Sequence, residues 1–396
     1  KNKKHKGKVY RNMKKNNIGI ITFHNSNNCG SMLESFAMNR IVDSIGFNSE
    51  IINYSSKGQQ QLYKSLFLWN SPKNIIKNIL LLPHKKRLDR NNRKYQEFKQ
   101  KYMVLNSQDI QTEAQVRKLK YDAVIAGSDQ IWNVTIEDYN DVYFLPWVQS
   151  GLKIAYAPSF GAKNPTKYNP NRITKYRDFL NEFDYLSVRE NNGQKWIKEI
   201  SGRDAKVVLD PTLLLSIDEY RRLERKNMKL PEKYIFFYSP GFNLDICKFV
   251  KQVSKKYNLL VITWSAKPFY VKNVWKYGFK LPDYEDPSTY LTLIKNATLV
   301  FTTSFHGTIF SSLYHKKFFV LKNGGMYGTD DRVITLVDKL KLNKHLIEYK
   351  FNEKFDYLAE PDYAEFDKAL EEEKKKSIDF LKSSLSRLEE KNEKSK

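Results

Sequence analysis

The stretch IGIITFHNSNNCGSMLESFAMNRIVDSIGFNSEIINY, residues 18–54, decides the fold. It opens with a continuous apolar run, IGIITF, passes through a polar loop, HNSNNCG, and continues as a helix-forming segment that ends at Gly46. A second strand-like run, FNSEIINY, follows. A strand, a helix and a strand in this order, with a first strand that is apolar throughout, are typical of a parallel βαβ unit. The sequence therefore predicts an α/β fold.

The same alternation repeats downstream in two blocks. The strand-like runs are DAVIA, KIAYA, FDYLSV and KVVLD in the first block, and KYIFFY, LLVITWS, NATLVFTT and KKFFVL in the second, with a short strand expected around 278–281. Repeated strand–helix alternation in separate halves predicts two doubly wound domains that face each other across a cleft. The predicted divisions are a basic N-terminal segment (1–17), a first domain (18–215) with a polar insertion (57–111), a charged linker, a second domain (232–347) and a charged helical tail (348–396).

Length and composition exclude several classes of protein. A chain of 396 residues that is 41% hydrophobic supports about two packed domains. No run reaches the roughly 18 apolar residues of a membrane span, and the basic start is not followed by a signal-peptide cleavage pattern. Two cysteines, Cys29 and Cys247, are too few for a disulfide framework or a zinc site. These features predict a cytoplasmic protein.

The formal net charge of +24 has several possible origins. A lysine-rich composition, an anionic substrate and an anionic membrane surface all remain open, and the last would place the protein peripherally at the inner face of the membrane. Nucleic acid is not expected, because the sequence has no zinc-finger spacing, RNP-like signature or recognition-helix pattern. The tail carries apolar residues at helical intervals, which favours a solvated helix partly packed on a domain over a membrane anchor.

The segment TTSFHGTIFSSL, residues 302–313, follows the apolar run ATLVF without an intervening charge. A helix that starts near Gly307 would present unpaired N–H groups and a positive dipole end, both suited to phosphate or carboxylate. Gly307 would let a ligand approach the backbone, and His306 could donate to an anion or carry a proton. A packed turn with a satisfied histidine explains the pattern equally well, so both interpretations stay open.

Other polar residues follow the predicted strands of the first domain. In GSDQIWN, residues 127–133, Asp129 could orient a hydroxyl or cap a helix, and Trp132 could stack on a sugar or fill the core. In LSVRENNG, Arg189 could fork onto phosphate or carboxylate, or pair internally. The loop before the first helix offers small polar groups for sugar hydroxyls or a helix cap. Its candidates are His24, Asn25, Asn28 and Ser31.

Neither a metal site nor a nucleotide-binding loop is expected. The chain lacks HxxxH, CxxC and DxD at strand ends, and it lacks GxGxxG and P-loop sequences. Cys29 has no evident partner for covalent catalysis.

Taken together, these blocks resemble the polysaccharide pyruvyl transferase family. The resemblance spans roughly residues 18–347 and rests on NNCGSMLESFA, DAVIAGSDQIWN, LSVRENNG, VVLDPTLLL and NATLVFTTSFHGTIFSSLYHKKFFVL in this order. It implies a GT-B-like fold. It also implies transfer of pyruvate from phosphoenolpyruvate, as a co-substrate without another cofactor, onto two hydroxyls of a sugar as a cyclic ketal. The acceptor would be a lipid-linked or nucleotide-linked saccharide of a capsule or exopolysaccharide pathway.

The resemblance also suggests residue roles. His306 is expected as an anion contact or acid, with Asp129 as the base that orients the hydroxyl. The donor set is Arg189, Ser304, His306, Gly307, Thr308 and Arg332; the acceptor set is His24, Asn25, Asn28, Ser31, Ser128 and Trp132.

The sequence departs from the family pattern at Ser304. Better-studied members place an arginine two residues before the motif histidine and use it on the donor, whereas this chain has serine. Arg332 or Lys322 could supply the missing cation. Two alternatives therefore stay open: a GT-B-type glycosyltransferase that uses a nucleotide sugar, and a non-catalytic basic scaffold.

Overall fold

A computed structural model describes residues 16–322 and 331–394, and these residues form two parallel sheets of six and five strands. The first sheet has the order β2-β1-β3-β4-β5-β6 and the second β11-β10-β9-β7-β8. The strands of the first sheet are β1 (Asn17–Ile21), β2 (Asn48–Ile51), β3 (Ala123–Ala126), β4 (Leu152–Ala155), β5 (Tyr185–Val188) and β6 (Lys206–Val207). Those of the second are β7 (Tyr234–Tyr238), β8 (Leu260–Thr263), β9 (Leu299–Thr302), β10 (Phe318–Leu321) and β11 (Leu346–Ile347).

Helices connect and cover the strands of both sheets. In the first domain they are α1 (Cys29–Ser44), α2 (Lys57–Leu62), α3 (Pro72–Leu81), α4 (Lys85–Tyr102), α5 (Glu113–Val116), α6 (Pro165–Tyr168), α7 (Ile173–Asn181), α8 (Asn191–Ser201) and α9 (Ile217–Arg221). In the remainder they are α10 (Leu244–Tyr257), α11 (Ala266–Val271), α12 (Pro287–Asn296), α13 (Phe305–Leu313), α14 (Asp331–Lys339) and α15 (Ala364–Lys394). Short 3₁₀ turns occur at Leu82–His84, Asp141–Phe144, Pro170–Arg172, Pro211–Leu213, Val274–Tyr277 and Asn343–His345.

Both sheets follow the same winding rule. In each, the first strand lies between the second and the third, so the strand order reverses next to that first strand, at β1 and β7. Every strand pair is parallel, as in Ile18 beside Ala123 and Ile235 beside Leu299. Ligands of such sheets bind beyond the carboxyl ends of the strands at this reversal. The fold thus confirms the predicted α/β architecture and directs attention to the loops after β1, β3, β7 and β9.

The central strands are buried on both faces, which explains their unbroken apolar sequence. In β7, YIFFY, all five residues are buried, and in β3 and β9 all four residues are buried. The short strand expected around 278–281 reduces to an isolated bridge between Ile262 and Lys280. The sequence also missed β11, whose two residues were assigned to the end of a domain.

The insertion between β2 and β3 contacts the second domain. Arg87 of α4 donates to the carbonyl oxygen of Pro282 at 2.5 Å, and the side-chain oxygen of Asn91 accepts from the N–H of Glu285 at 3.1 Å. The insertion therefore covers one side of the space between the two sheets.

The tail is more extensively packed than the sequence indicated. Helix α15 begins only at Ala364, and Tyr357 before it is buried in the core of the second domain. Asp367 pairs with His315 of the second domain at 2.9 Å, whereas the hydroxyl of Ser377 accepts from the N–H of Leu209 in the first domain. The helix thus joins the two domains.

The predicted basic segment 1–17 lies almost entirely outside the described residues. Within 16–322 and 331–394, no helix combines the length and apolar character needed to cross a membrane.

Candidate active site

Asp210 follows β6 and lies at the centre of a buried cluster of charged side chains. Its Oδ2 accepts hydrogen bonds from Arg189 Nη1 at 2.7 Å and from Ser128 Oγ at 2.8 Å. His306 Nε2 of the second domain lies 3.6 Å from the same oxygen. Burial alone would raise the pKa of Asp210, but the neighbouring His306 and Arg189 outweigh it and hold the pKa well below its usual range. Asp210 is therefore a carboxylate that joins three of the predicted site residues.

Arg189 lies at the end of β5 with its guanidinium 4.2 Å from the ring centre of Phe305, in the other domain. Nη1 of Arg189 forms a short ion pair with Asp210. Nη2 lies 3.9 Å from Asp129 Oδ1, which is too far for a hydrogen bond. Among the described residues, Nε and Nη2 have no hydrogen-bond partner although both are buried. Buried donors without partners are costly, so these two nitrogens are available to an anionic ligand.

His306 is the second residue of α13 and packs directly on the first domain. A Cβ atom added to Gly30 would lie 2.1 Å from His306 Nδ1, so the ring occupies the space that any side chain at position 30 would need. His306 Nε2 is buried and has no hydrogen-bond partner within the described parts of the chain. The start of α13 and the start of α1 thus meet at the histidine ring.

The start of α13 is closed by its own side chains. Ser304 caps the helix, since its Oγ accepts from the N–H of Gly307 at 3.2 Å. A Cβ atom at Gly307 would lie 2.2 Å from Thr302 Oγ1, so the glycine is required by packing against β9. Thr308 is buried and donates to the carbonyl oxygen of Ser304 at 3.0 Å. The side chain of Thr308 and the space beside the Cα atom of Gly307 therefore face the protein interior.

Asp129 adopts an unusual backbone conformation with φ of 73°. This left-handed region is uncommon for residues other than glycine and is enriched at functional sites. One carboxylate oxygen accepts from Ser31 Oγ at the start of α1, and the other accepts from the N–H of Gln130 at 2.8 Å. The structure thus brings Asp129, Ser31, Ser128 and Arg189 into one network.

Glu34 is a member of this network that sequence reasoning missed. Its two oxygens bind Thr22 Oγ1 at 2.8 Å and the N–H of Ser128 at 3.1 Å. Burial, followed by the charges of Asp210 and Asp129, raises the pKa of Glu34 well above its usual range. The sequence offered no clear signal for Glu34, because α1 is buried on nearly all sides. For Asp210 a signal was present, because Asp210 is the polar residue that directly follows the apolar run VVL, residues 207–209.

Arg332 lies on α14, which contacts the start of α8. The N–H of Asn192 donates to Asp331 Oδ2 at 2.7 Å. Burial raises the pKa of Glu190 to about 7, and the charges of Arg189 and Arg332 limit that rise. Arg189 and Arg332 thus both act on the charge of Glu190. The other candidate cation, Lys322, pairs with Glu348 at 3.3 Å on the exposed surface.

Two residues predicted to bind the acceptor lie in the interior instead. Trp132 is fully buried against Phe144, and its Nε1 donates to the carbonyl oxygen of Tyr143. His24 is also fully buried, with Nε2 3.0 Å from Asn53 Oδ1, and burial lowers the pKa of His24 to about 4. Neither side chain reaches a surface in this structure.

The remaining predicted acceptor residues lie at the edge of the network. Asn28 caps α1 by accepting from the N–H of Gly30 at 2.9 Å. Asn25 accepts from Lys99 Nζ at 2.6 Å and lines a separate cavity beside it.

A cavity of about 270 Å³ lies between the domains and adjoins the cluster. Asn28 and Cys29 form part of its wall, directly before Gly30, on which His306 packs. The opposite wall comes from the insertion and the second domain. Its other lining residues include Tyr63, Lys64, Asn91, Asn92, Tyr95, Tyr238, Trp264, Lys267 and Glu285.

Across 16–322 and 331–394, no three His, Cys, Asp or Glu side chains are grouped so that they could hold a metal ion.

The chain is similar to solved structures of the GT-B fold. A UDP-N-acetylglucosamine 2-epimerase from Rickettsia bellii is similar with a TM-score of 0.52 and 11% identity, over 94% of this chain and 97% of that one. The Staphylococcus aureus protein MnaA, solved with UDP, has a TM-score of 0.50 and 12% identity, over 94% of this chain and 97% of that one. No curated protein matches the chain by sequence. These likenesses define the class as a two-domain protein of the GT-B fold.

The family model of polysaccharide pyruvyl transferases matches residues 28–325, about three quarters of the chain. The match includes α1, the Asp129 loop, Arg189, Asp210 and the start of α13. The chain therefore belongs to the polysaccharide pyruvyl transferase family, and it is a pyruvyl transferase.

Proposed function

We propose that the protein transfers pyruvate from phosphoenolpyruvate to two hydroxyls of a sugar in a surface-polysaccharide precursor. One observation carries the choice of donor. Arg189 and His306 come from opposite domains, converge on Asp210 and keep buried nitrogens without partners in the described residues. A ligand with a carboxylate and a phosphate would provide acceptors for these nitrogens.

The proposed reaction balances without a redox partner. An acid protonates the methylene carbon of the donor, which becomes the methyl group, and the adjacent carbon becomes electrophilic. One sugar hydroxyl forms a C–O bond to that carbon and the bond to phosphate breaks. A second hydroxyl closes the ketal. One hydroxyl proton replaces the proton that the acid gave, and the other leaves with phosphate.

The residues of the cluster suit distinct parts of this reaction. His306 is the proposed acid or anion contact, and Asp129 is the proposed base that orients the attacking hydroxyl. Arg189 would bind the donor's negative charge and stabilise the leaving phosphate. Asp210 is a positioning residue, since it holds Arg189 at 2.7 Å and faces His306 at 3.6 Å. Ser304 serves as a helix cap, so Arg189 and Arg332 remain the cations proposed for the donor.

The saccharide acceptor is proposed to occupy the cavity between the domains. Its walls combine aromatic rings with amide and ammonium groups, a combination that suits a sugar carrying an anionic lipid or nucleotide diphosphate. Asn91 Nδ2 is buried there without a hydrogen-bond partner in the described residues. The proposal places the protein in the cytoplasm, where this donor is available.

A direct assay tests this function. The protein is incubated with phosphoenolpyruvate and lipid-linked or nucleotide-linked oligosaccharides, while phosphate release and the ketal methyl signal are followed by NMR. We expect one phosphate to be released for each ketal that is formed. Transfer of a sugar from a nucleotide sugar, with no reaction of phosphoenolpyruvate, would instead identify a glycosyltransferase. Saccharide binding without turnover would identify a scaffold.

A further inference from the structure

The insertion exposes a group of large apolar side chains. Of the large apolar side chains that are exposed in 16–322 and 331–394, half fall between positions 68 and 82. We call this group the insertion patch; it consists of Leu68, Trp69, Ile75, Ile76, Ile79, Leu80 and Leu82. Trp69 is 55% exposed, Ile76 62% and Ile79 57%. Soluble monomeric proteins seldom expose a contiguous apolar patch unless that patch binds a protein, a membrane or a ligand.

Helix α3 buries Leu81 but exposes its four isoleucine and leucine side chains at positions 75, 76, 79 and 80. The pairs Ile75/Ile79 and Ile76/Leu80 are four residues apart, so they form one face, and this face is exposed. The polar side chain of Asn78 points inward instead, where it accepts from the N–H of Phe67 at 2.9 Å and donates to its carbonyl oxygen at 3.1 Å. Surface helices normally bury their apolar face. The exposed face of α3 therefore needs an apolar partner.

Positive charge surrounds the insertion patch. Between positions 57 and 88 the sequence has seven basic residues and no acidic residue. Lys73 is exposed at the start of α3, and Lys85 and Lys86 are exposed at the start of α4. Lys85 pairs with Asp89 at 2.6 Å. An apolar stripe with a tryptophan and flanking lysines is the pattern of a helix that lies in the interface of an anionic bilayer.

The insertion patch adjoins the cavity between the domains. Leu68 and Trp69 line a surface cavity together with Lys64 and Ser65, and the latter two also line the interdomain cavity. A surface on which the patch is docked would therefore lie beside the entrance of the proposed acceptor site.

We infer that the insertion patch docks the protein on an anionic lipid surface. The apolar side chains would enter the boundary between headgroups and acyl chains, and the lysines would contact lipid phosphates. A second copy of this chain is the less suitable partner, because two such patches would bring lysines of like charge together. The inference stands independently of the donor proposed above, since it concerns a surface outside the charged cluster.

Vesicle sedimentation tests the inference. The full chain is mixed with vesicles of phosphatidylcholine alone or of phosphatidylcholine with phosphatidylglycerol. We expect binding to the anionic vesicles that weakens with added salt. Ile76→Asn together with Ile79→Asn should weaken it about tenfold or more. The matched control, Leu244→Asn with Leu260→Asn, replaces two side chains of similar exposure in the second domain and should leave binding unchanged.

Tryptophan fluorescence gives a second readout. Trp69 and Trp275 are similarly exposed, at 55% and 52%, whereas Trp132, Trp147, Trp196 and Trp264 are buried. Anionic vesicles should shift the emission to shorter wavelength in the wild type and in Trp275→Phe, and the shift should be lost in Trp69→Phe.

Three results would overturn the inference. The first is no binding to either vesicle. The second is equal binding by the wild type and the Ile76→Asn, Ile79→Asn variant. The third is that the wild type does not bind vesicles but associates with itself, and that the Ile76→Asn, Ile79→Asn variant loses this self-association. That result would assign the insertion patch to contact with a second copy of the chain.

Discussion

His306 Nε2 lies 3.6 Å from Asp210 Oδ2, and the two residues belong to different domains. The same oxygen accepts the hydrogen bond from Arg189. The donor-binding groups proposed from each domain are therefore held by one carboxylate, and the cluster is complete only when the domains are together. This relationship leads to the following predictions.

Replacing His306 with asparagine should abolish most of the transfer activity. An amide keeps the approximate size of the side chain but cannot carry a proton, so we expect phosphate release to fall by about a hundredfold or more. His315→Asn is the matched control, because His315 lies in the same domain but pairs with Asp367 on the surface. Wild-type activity in His306→Asn would remove His306 from the chemistry.

Gly30→Ala should impair activity through the position of His306. The added methyl group would have to displace a ring atom that lies 2.1 Å away, so we expect activity to fall about tenfold or more. Gly58→Ala, also in a helix, meets only Ser56 Oγ at 3.8 Å and should keep full activity, with stability raised by about 0.5–1 kcal/mol. Equal activity of the two variants would show that the contact with Gly30 does not position the histidine.

Asp210→Asn should weaken donor binding and turnover together. The amide cannot stabilise Arg189 and His306 by charge, so we expect the KM for phosphoenolpyruvate to rise and kcat to fall. Steady-state kinetics measure both, with Asp218→Asn as a control on exposed α9, where Asp218 pairs only with Arg221 among the described residues. An effect on thermal stability without any effect on KM would reduce Asp210 to a structural role.

Glu190→Gln should change how stability depends on pH. Burial raises the pKa of Glu190 from 4.5 to about 7. Between these two pH values the Glu190 carboxyl is protonated in the folded state and ionised in the unfolded state. The stability associated with this proton is present below pH 4.5 and is lost as the pH rises through about 7. We therefore expect Glu190→Gln to be more stable than the wild type near pH 8, by about 3 kcal/mol at most, and nearly equal near pH 4.5.

Denaturant unfolding at both pH values measures this difference. The control is Glu199→Gln on the exposed side of α8, the helix that starts directly after Glu190, and this variant should follow the wild type. A constant difference between Glu190→Gln and the wild type at every pH would contradict the assigned ionisation.

The sequence predicted the strands well and the orientation of loop side chains poorly. Apolar runs such as IFFY and AVIA require burial on both faces, which only the interior of a parallel sheet provides. Periodicity carries no information about which side chains of an irregular loop face the cleft. His24 follows β1 as closely as Asp129 follows β3, and Trp132 comes only three residues after Asp129, yet the side chains of His24 and Trp132 turn inward.

Contacts between distant residues were also beyond sequence reasoning. Arg189 and His306 were both identified from their positions at strand ends, but the carboxylate that joins them was not. Asp210 and Glu34 form hydrogen bonds with residues that are distant in the sequence. Position 30 requires glycine because the ring of His306, from the other domain, packs on it. The sequence segments that carry the family resemblance include these residues but do not show the contacts that explain them.

Calorimetric titration of phosphoenolpyruvate tests the central claim most directly. The claim is that Arg189 and His306 bind the donor's negative charges from opposite domains. Wild type, Arg189→Gln, His306→Asn and the double variant form one cycle, with UDP-N-acetylglucosamine as the competing ligand. We predict that phosphoenolpyruvate binds the wild type, that each single variant binds about tenfold or more weakly, and that the effects are not additive. Equal binding of phosphoenolpyruvate by all four proteins, or binding of the nucleotide sugar alone, would contradict the account.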